Sequence, residues 1–182
     1  MKNFFNSPQV RQDKNARTLS YFCTKDVVAI TKEIIKQLLE ESKKNGDCDI
    51  RLSLHKRPSE EFHNMIILQN KGNYYRPHKH EKKVEAYQLI EGKMAVFVFD
   101  ESGSVKESTI LSPEKNFIYR IPSNTWHISI PITKYVIFNE AKPGPFLGKD
   151  DSSFADWAPD SSNLNEGKKY FAALLGKILV EK

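Results

Sequence analysis

The sequence predicts an all-β domain, either a sandwich or a barrel, with one α-helix before it and one after it. Between residues 50 and 140, short runs rich in Ile, Val, Phe and Tyr alternate with polar residues and are separated by turn residues. This alternation is typical of half-buried strands. On either side of that region, apolar residues instead recur at every third or fourth position, which indicates amphipathic helices.

The first helix is predicted over residues 26–44. Its apolar stripe is made of residues three or four positions apart, namely Val27, Ile30, Ile34 and Leu38. Thr24 or Asp26 would cap its start, and Gly46 would end it. Residues 1–25 show no sustained period, and we expect a loose arm or an edge strand there.

Nine short strands are predicted in the central region, because each run with a period of two is followed by a turn signal. They cover residues 50–55, 65–69, 73–78, 85–91, 94–100, 105–111, 117–121, 126–130 and 135–140. The chain therefore divides into three predicted segments. These are an arm and helix (1–48), a barrel (49–141), and a wrapping loop with a C-terminal helix (142–182).

The last segment opens with a loop, because Lys142-Pro-Gly-Pro-Phe146 cannot continue a regular element. Asn163 followed three residues later by Glu166 is a variant of the capping box, and it predicts the start of the second helix. We expect its apolar face to cover the barrel, since amphipathic helices usually pack on a protein core. Dimerisation and binding to a membrane surface are the alternatives.

Length and composition limit the class of protein. A chain of 182 residues with 39% hydrophobic and 28% charged residues suits one globular domain, and no stretch is apolar enough to cross a bilayer. The N-terminus lacks the apolar run of a secretory signal, so a cytoplasmic location is expected. Cys23 and Cys48 have no CxxC spacing, and both are expected to be free thiols.

The formal charge of +5 raises the question of an anionic partner. Nucleic acid is disfavoured, because the basic residues are scattered and no aromatic-basic RNA motif accompanies them. Their densest cluster is Lys79, Lys82 and Lys83. A small anionic ligand remains an alternative to an ordinary solvated surface.

Four residues form a candidate metal centre. His78 and His80 are two positions apart in an extended segment, so both imidazoles emerge on the same face. The charged residues after them suggest a turn, after which Glu85 would begin the returning strand and face the histidines. His127 would reach them from the opposite side of the barrel mouth. Neutral imidazoles with one carboxylate suit a divalent ion such as Zn, Mn, Fe or Ni and leave coordination positions open.

The spacing Gly72-x5-His78-x-His80-x4-Glu85-x6-Gly92 resembles the first cupin motif without a departure. The second motif is matched in part, with Pro122 and His127 in place, Asn116 and Asn124 where the motif has glycine, and Pro131 where it has asparagine. This resemblance implies a double-stranded β-helix, also called a jelly-roll or cupin barrel. It also implies one divalent metal ion held by His78, His80, Glu85 and His127.

Residues 15–160 are more narrowly similar to the WbuC family of small cupin-fold metalloproteins. The similar segments are Arg51-Leu-Ser-Leu-His55, Pro77-His-Lys-His80, Glu85, Phe99-Asp-Glu-Ser-Gly103, Pro122, Trp126-His127, Glu140-x-Lys142-Pro-Gly-Pro-Phe146 and Trp157-Ala-Pro159. The resemblance implies a site of three histidines and one glutamate, and an association with polysaccharide or O-antigen gene clusters.

Other polar residues are weaker candidates for the site. Arg51, His55, Tyr75 and Lys142 could bind an anionic or hydroxylated substrate, and Tyr87, Glu140 and Lys142 could move protons. The alternative for Arg51, His55 and the two tyrosines is ordinary polar contacts or aromatic packing. The alternative for Glu140 and Lys142 is an ion pair that fixes the loop after the last strand.

Three functions are consistent with these residues. The first is an isomerase or epimerase that acts on a sugar or nucleotide-sugar in surface polysaccharide metabolism, with a metal polarising a carbonyl. The second is an iron-dependent dioxygenase, and the third is a non-catalytic, metal-dependent sugar sensor. The expected partner is a small molecule such as an anionic sugar, and open barrel edges suggest a homodimer.

Overall fold

The protein folds as a two-sheet jelly roll with two α-helices, in a computed structural model that describes residues 3–180. Residues 1 and 2 of the predicted N-terminal arm and residues 181 and 182 of the predicted C-terminal segment lie outside the described range. In chain order the elements are β1 (Val10–Gln12), β2 (Leu19–Cys23), α1 (Lys32–Lys44), β3 (Ile50–Ser53), β4 (Phe62–Asn70), β5 (His78–Lys79), β6 (Glu85–Glu91), β7 (Met94–Phe99), β8 (Val105–Leu111), β9 (Ile118–Ile121), β10 (Trp126–Pro131), β11 (Tyr135–Pro143), β12 (Ser153–Phe154) and α2 (Leu164–Val180). Short 3-10 helices cover Phe4–Asn6 and Gly148–Asp151.

The strands form two sheets that face each other. One sheet has the order β1-β2-β3-β4-β11-β6-β9, and the other has the order β12-β5-β10-β7-β8. Neighbouring strands are antiparallel except for β2 and β3, which are parallel and are joined through α1. The predicted class, an all-β double-stranded β-helix with a helix at each end, is confirmed.

The space between the sheets holds the apolar core of the barrel. Its buried residues are Tyr87, Leu89, Met94, Val96, Leu111, Ile121, Val136 and Phe138. Because side chains two positions apart on a strand share a face, Glu85 lies on the same interior face as Tyr87, and Glu140 lies on the same face as Phe138. The polar residues of interest therefore occupy one end of an otherwise apolar interior.

Helix α1 covers the outer face of the seven-stranded sheet, where Ile35 and Leu38 pack against residues of β3 and β4. The helix begins later than predicted, because the Thr31 side chain caps it by accepting a hydrogen bond from the amide of Ile34 at 3.3 Å. The predicted start near residue 26 was wrong. The Asp26 carboxylate pairs with a lysine of another loop, and Val27 is 88% exposed although it fits the stripe.

Helix α2 covers the outer face of the five-stranded sheet, as expected from its amphipathic pattern. Phe171, Leu174 and Ile178 belong to one buried cluster with the outward-facing residues of β7 and β10. The predicted cap is confirmed, since Asn163 Oδ1 accepts a hydrogen bond from the amide of Glu166 at 3.2 Å. None of the helices within residues 3–180 is both long and apolar enough to span a membrane.

Two strands differ from the predicted ones in ways that affect the site. The strand predicted over residues 73–78 exists only at its end, as the short β5. Strand β11 runs three residues past Glu140, because Lys142 and Pro143 pair with the first residues of β4. Lys142 is therefore a strand residue on the same face as Glu140. Both cysteines are free thiols, as predicted.

Candidate metal centre

Three of the four predicted ligands come together at one end of the barrel interior. His78, His80 and Glu85 each offer one ligand atom, and these atoms lie within 4.8 Å of one another. His78 opens β5 and Glu85 opens β6, so the turn between the two strands places the carboxylate opposite the imidazoles. His80 and Glu85 are buried, and His78 is partly buried.

His127, the fourth predicted ligand, faces this cluster from β10. It is the register partner of His78, and the two ring centroids are 4.5 Å apart. His127 Nε2 lies 2.5 Å from Glu85 Oε1, yet the contact lacks hydrogen-bond geometry, and this buried nitrogen has no hydrogen-bond partner among the described residues. A metal ion bound at His127 Nε2 would give this buried nitrogen the partner that it lacks.

The other ring nitrogens indicate that the residues fit a divalent ion. His80 Nδ1 lies 2.5 Å from the carbonyl oxygen of Asp151, and His127 Nδ1 lies 2.8 Å from that of Thr125. A carbonyl oxygen only accepts, so each Nδ1–H donates, and in its neutral form each imidazole then presents the Nε2 lone pair to the centre. Three imidazoles and a carboxylate then match the donors preferred by Zn, Mn, Fe or Ni.

Protonation in the folded protein also suits metal ligation. Burial holds the pKa of His78 well below its usual value, so this imidazole is neutral at neutral pH. Burial alone would raise the pKa of Glu85, but contacts with His127 and His80 outweigh it and hold that pKa well below its ordinary value. Glu85 and His78 thus need not lose a proton to bind an ion. At His80, burial opposes the charged form, but the contact with Glu85 outweighs it and raises the pKa, so metal binding there competes with a proton.

Glu140 and Lys142 reach the centre from β11. Lys142 Nζ lies 2.9 Å from Glu140 Oε1, 3.4 Å from His80 Nε2 and 3.9 Å from Glu85 Oε2. Burial opposes the charge on Lys142, but Glu140 and Glu85 overcome it and raise its pKa. Lys142 therefore remains an ammonium, beside both the Glu140 carboxylate and the ligand cluster.

Tyr87 contacts the centre through Glu85. Its hydroxyl donates a hydrogen bond to Glu85 Oε1 at 3.1 Å, and it is the register partner of Glu140 across β6 and β11. Burial, and then the carboxylates of Glu85 and Glu140, raise the pKa of Tyr87 well above its usual value. Tyr87 therefore stays protonated and orients the Glu85 carboxylate.

Three residues proposed from the sequence for substrate binding make their contacts elsewhere. The Tyr75 hydroxyl donates to Asp49 Oδ2 at 2.5 Å, and Arg51 Nη2 lies 3.5 Å from Asp13 Oδ2. His55 stacks on His63, with ring centroids 4.1 Å apart and planes 2° from parallel. Within residues 3–180, the structure brings none of the three into contact with the ligand cluster.

The His55–His63 stack predicts a pH dependence of stability. Burial, together with the neighbouring His63, lowers the pKa of His55 from 6.5 to about 4. The unfolded chain binds a proton at His55 more readily than the folded protein does. The contribution of neutral His55 to the free energy of unfolding is therefore complete above pH 6.5 and is lost progressively down to about pH 4. Urea unfolding of metal-free protein should therefore show a smaller pH slope in His55→Asn than in wild type. Equal slopes would contradict this role of His55.

The sequence did not reveal the residues that contact His80 on the side away from the ligand cluster. Besides the Asp151 carbonyl, Ser152 Oγ lies 3.3 Å from His80 Nδ1, and Asp151 forms a buried ion pair with Lys83. Lys83 was interpreted as part of a solvated basic cluster, but it is buried. Lys83 lies between the bend at residues 81–82 and the start of β6, and no periodic pattern in that stretch of sequence marks it as buried.

Comparisons with known proteins find partial likenesses and identify no specific protein. Residues 30–111 match a family model described only as a domain of unknown function, DUF6016. No curated protein matches the chain. Because the family model covers less than half of the chain, it does not define a family for the whole protein.

Two of the similar solved structures belong to longer proteins. The capsular polysaccharide assembling protein CapF from Staphylococcus aureus aligns with 14% identity and a TM-score of 0.49 over 59% of this chain and 31% of that one. Lactobacillus farciminis oxalate decarboxylase, solved as a formate complex, aligns with 19% identity and a TM-score of 0.42 over 52% of this chain and 27% of that one. The chain thus matches less than a third of either protein.

Proposed function

We propose that this protein is a metal-dependent cupin enzyme of the isomerase or epimerase type, acting on an anionic sugar or nucleotide-sugar. One observation carries the proposal, namely that the Glu140–Lys142 pair lies beside the four candidate ligands. A carboxylate and an ammonium next to an open coordination position are the groups that a proton transfer next to a carbonyl requires.

Each residue has a role in such a reaction. A divalent ion bound by His78, His80, Glu85 and His127 would polarise a carbonyl or hydroxyl oxygen of the substrate. The Glu140 carboxylate removes the proton from the carbon next to the carbonyl and returns it at the neighbouring carbon, which gives isomerisation. Epimerisation requires in addition that the intermediate turns over, so that Glu140 returns the proton on the other face. The Lys142 ammonium donates a hydrogen bond to the substrate oxygen as negative charge develops there. The Tyr87 hydroxyl keeps Glu85 in orientation.

Charge supports an anionic substrate. With a divalent ion in place, the carboxylates of Glu85 and Glu140 balance its charge, while the Lys142 ammonium remains unbalanced. The Lys83–Asp151 pair is neutral in sum. A buried site with surplus positive charge is stabilised by an anion, such as the carboxylate of a sugar acid or the phosphate of a nucleotide-sugar. The sugar itself is proposed from the sequence resemblance to WbuC proteins.

Metal analysis of the purified protein, followed by thermal-shift screening of the metal-loaded protein with nucleotide-sugars, tests this proposal. We expect one bound divalent ion per chain, a higher midpoint temperature with a matching nucleotide-sugar, and a rearranged sugar detectable by NMR. A thermal shift without any product would instead support a sugar sensor. Bound iron with substrate-dependent oxygen uptake would support a dioxygenase, and either result would overturn the isomerase.

A further inference from the structure

A short stretch of chain closes the end of the barrel where the metal centre lies. Residues 144–152, here termed the capping segment, connect β11 to β12. Strand β12 pairs with β5, the strand that begins with His78. At its start, the Gly144 amide donates to the Glu61 carbonyl at 2.7 Å, and the Phe146 amide donates to the Pro58 carbonyl at 2.8 Å.

Near its end, the capping segment contacts a candidate ligand directly. The Asp151 carbonyl accepts from His80 Nδ1 at 2.5 Å, with Ser152 Oγ also nearby at 3.3 Å. These contacts fix the tautomer and the direction of the His80 ring, because they leave Nε2 as the atom that faces the centre. The position of the Asp151 backbone is therefore part of the geometry of the metal centre.

An ion pair holds that backbone in place. Lys83 Nζ donates to Asp151 Oδ1 and also to the Pro145 carbonyl at 2.5 Å, so one ammonium ties two points of the capping segment to the start of β6. The Asp151 carboxylate additionally accepts from the Leu147 amide at 3.1 Å. The Lys83 and Asp151 side chains are only 8% and 4% exposed.

Burying the charges of Lys83 and Asp151 costs desolvation free energy. Apolar packing of the capping segment is too limited to hold the segment closed in their place. The two large apolar residues of the capping segment, Phe146 and Leu147, are 52% and 50% exposed. Burial of apolar surface therefore contributes little to holding the segment closed. Removal of one ion-pair partner would leave an uncompensated buried charge, and the segment would move to let water reach it.

We propose that Lys83 and Asp151 are positioning residues that couple closure of the capping segment to metal binding at His80. A closed segment orients His80 for the ion, and a bound ion in turn stabilises the closed segment. This inference rests on the proposed metal centre, but the coupling acts through the protein's own contacts. It also predicts that the ion and the substrate gain access when the capping segment opens.

Four variants test this coupling, because each buried residue has an exposed neighbour with the same charge. Lys83→Met and Asp151→Asn break the pair, and Lys82→Met and Asp150→Asn make the same chemical change in exposed side chains. Competition with a chromogenic chelator measures affinity for Zn²⁺. We expect the first two variants to bind Zn²⁺ about 10- to 100-fold more weakly than wild type, and the two controls to match wild type.

Hydrogen–deuterium exchange of the metal-free proteins supplies a second readout that needs no ion. The amides of residues 146–152 should exchange faster in Lys83→Met than in Lys82→Met, while those of β6 and β11 stay protected. Lys83→Arg keeps the charge and should restore most of the protection and affinity. Wild-type affinity with unchanged exchange in Lys83→Met would overturn the coupling.

The design separates failure of this inference from failure of the proposed metal centre. If wild-type protein fails to bind Zn²⁺, manganese, iron or nickel, the metal centre is refuted, and the exchange data still decide whether Lys83 holds the capping segment. If Lys83→Met does not fold, as judged by circular dichroism, Asp151→Asn measured against Asp150→Asn provides the same comparison. A uniform rise in exchange over the whole barrel would show a purely structural ion pair and would contradict the inference.

Discussion

Replacing Glu85 by glutamine will lower the affinity for the metal ion by more than about 100-fold, since even partners outside the ligand set typically contribute 10- to 100-fold. The substitution keeps the shape of the side chain but removes the one anionic ligand among neutral imidazoles. The expected loss follows from the position of Glu85, which lies 3.6 Å from His80 Nε2 and 2.5 Å from His127 Nε2. Chelator competition with Zn²⁺ measures the change.

Glu114→Gln is the matched control for this variant, because Glu114 is exposed on the turn before β9 and is not one of the candidate ligands. It should bind metal as wild type does. Circular dichroism must show that Glu85→Gln is folded, and the buried amide still has the Tyr87 hydroxyl as a neighbour. Unchanged metal affinity in a folded Glu85→Gln protein would place the ion elsewhere.

Replacing Glu140 by glutamine will lower turnover of the substrate by about 10²- to 10⁴-fold, the range contributed by a general base. Metal affinity should stay close to that of wild type, because Glu140 contacts the centre through Lys142 Nζ at 2.9 Å and is not among the clustered ligands. The measurement is the rate of sugar rearrangement by NMR, with the nucleotide-sugar selected by thermal shift.

Exchange of solvent deuterium into the substrate gives this prediction a sharper readout. If Glu140 moves the proton, Glu140→Gln will lose deuterium incorporation at the reacting carbon together with turnover. The Glu114→Gln control should retain both. A Glu140→Gln protein that turns over substrate at the wild-type rate would exclude Glu140 as the base. Loss of metal together with activity would show that Glu140 only supports the ligand set.

The strands and the core of the metal centre could be predicted because their signals are local. The predicted bounds of β6 and β8 agree with the structure, since alternating side chains and clear turns limit both strands on each side. The cluster of His78, His80 and Glu85 followed from a spacing within eight residues. In these places, backbone geometry alone decides which side chains meet.

What the sequence did not predict depends on contacts between distant segments. The stripe of α1 continues to Val27, so spacing could not show that the helix begins after Thr31. The extent of β11 is set by its pairing with β4. Lys83 and Asp151 are 68 residues apart, and neither is distinguishable in sequence from a solvated residue. Nonlocal pairing of this kind leaves no periodic signal in either segment.

Tyr75 shows how an incorrect element leads to an incorrect contact. Tyr75 was a candidate for substrate binding, three residues before His78 in a strand predicted over residues 73–78. The backbone before β5 is irregular, and the Tyr75 side chain binds Asp49 instead. Proximity in sequence implies proximity of side chains only where the backbone between them is regular.

X-ray absorption spectroscopy of the metal-loaded protein tests the central claim most directly, because the fine structure reports the ligands around the ion. The account predicts scattering from three imidazoles and one carboxylate oxygen, with one imidazole fewer in His127→Ala. An ion without imidazole scattering, or an imidazole count that His127→Ala leaves unchanged, would contradict a metal centre built from His78, His80, Glu85 and His127.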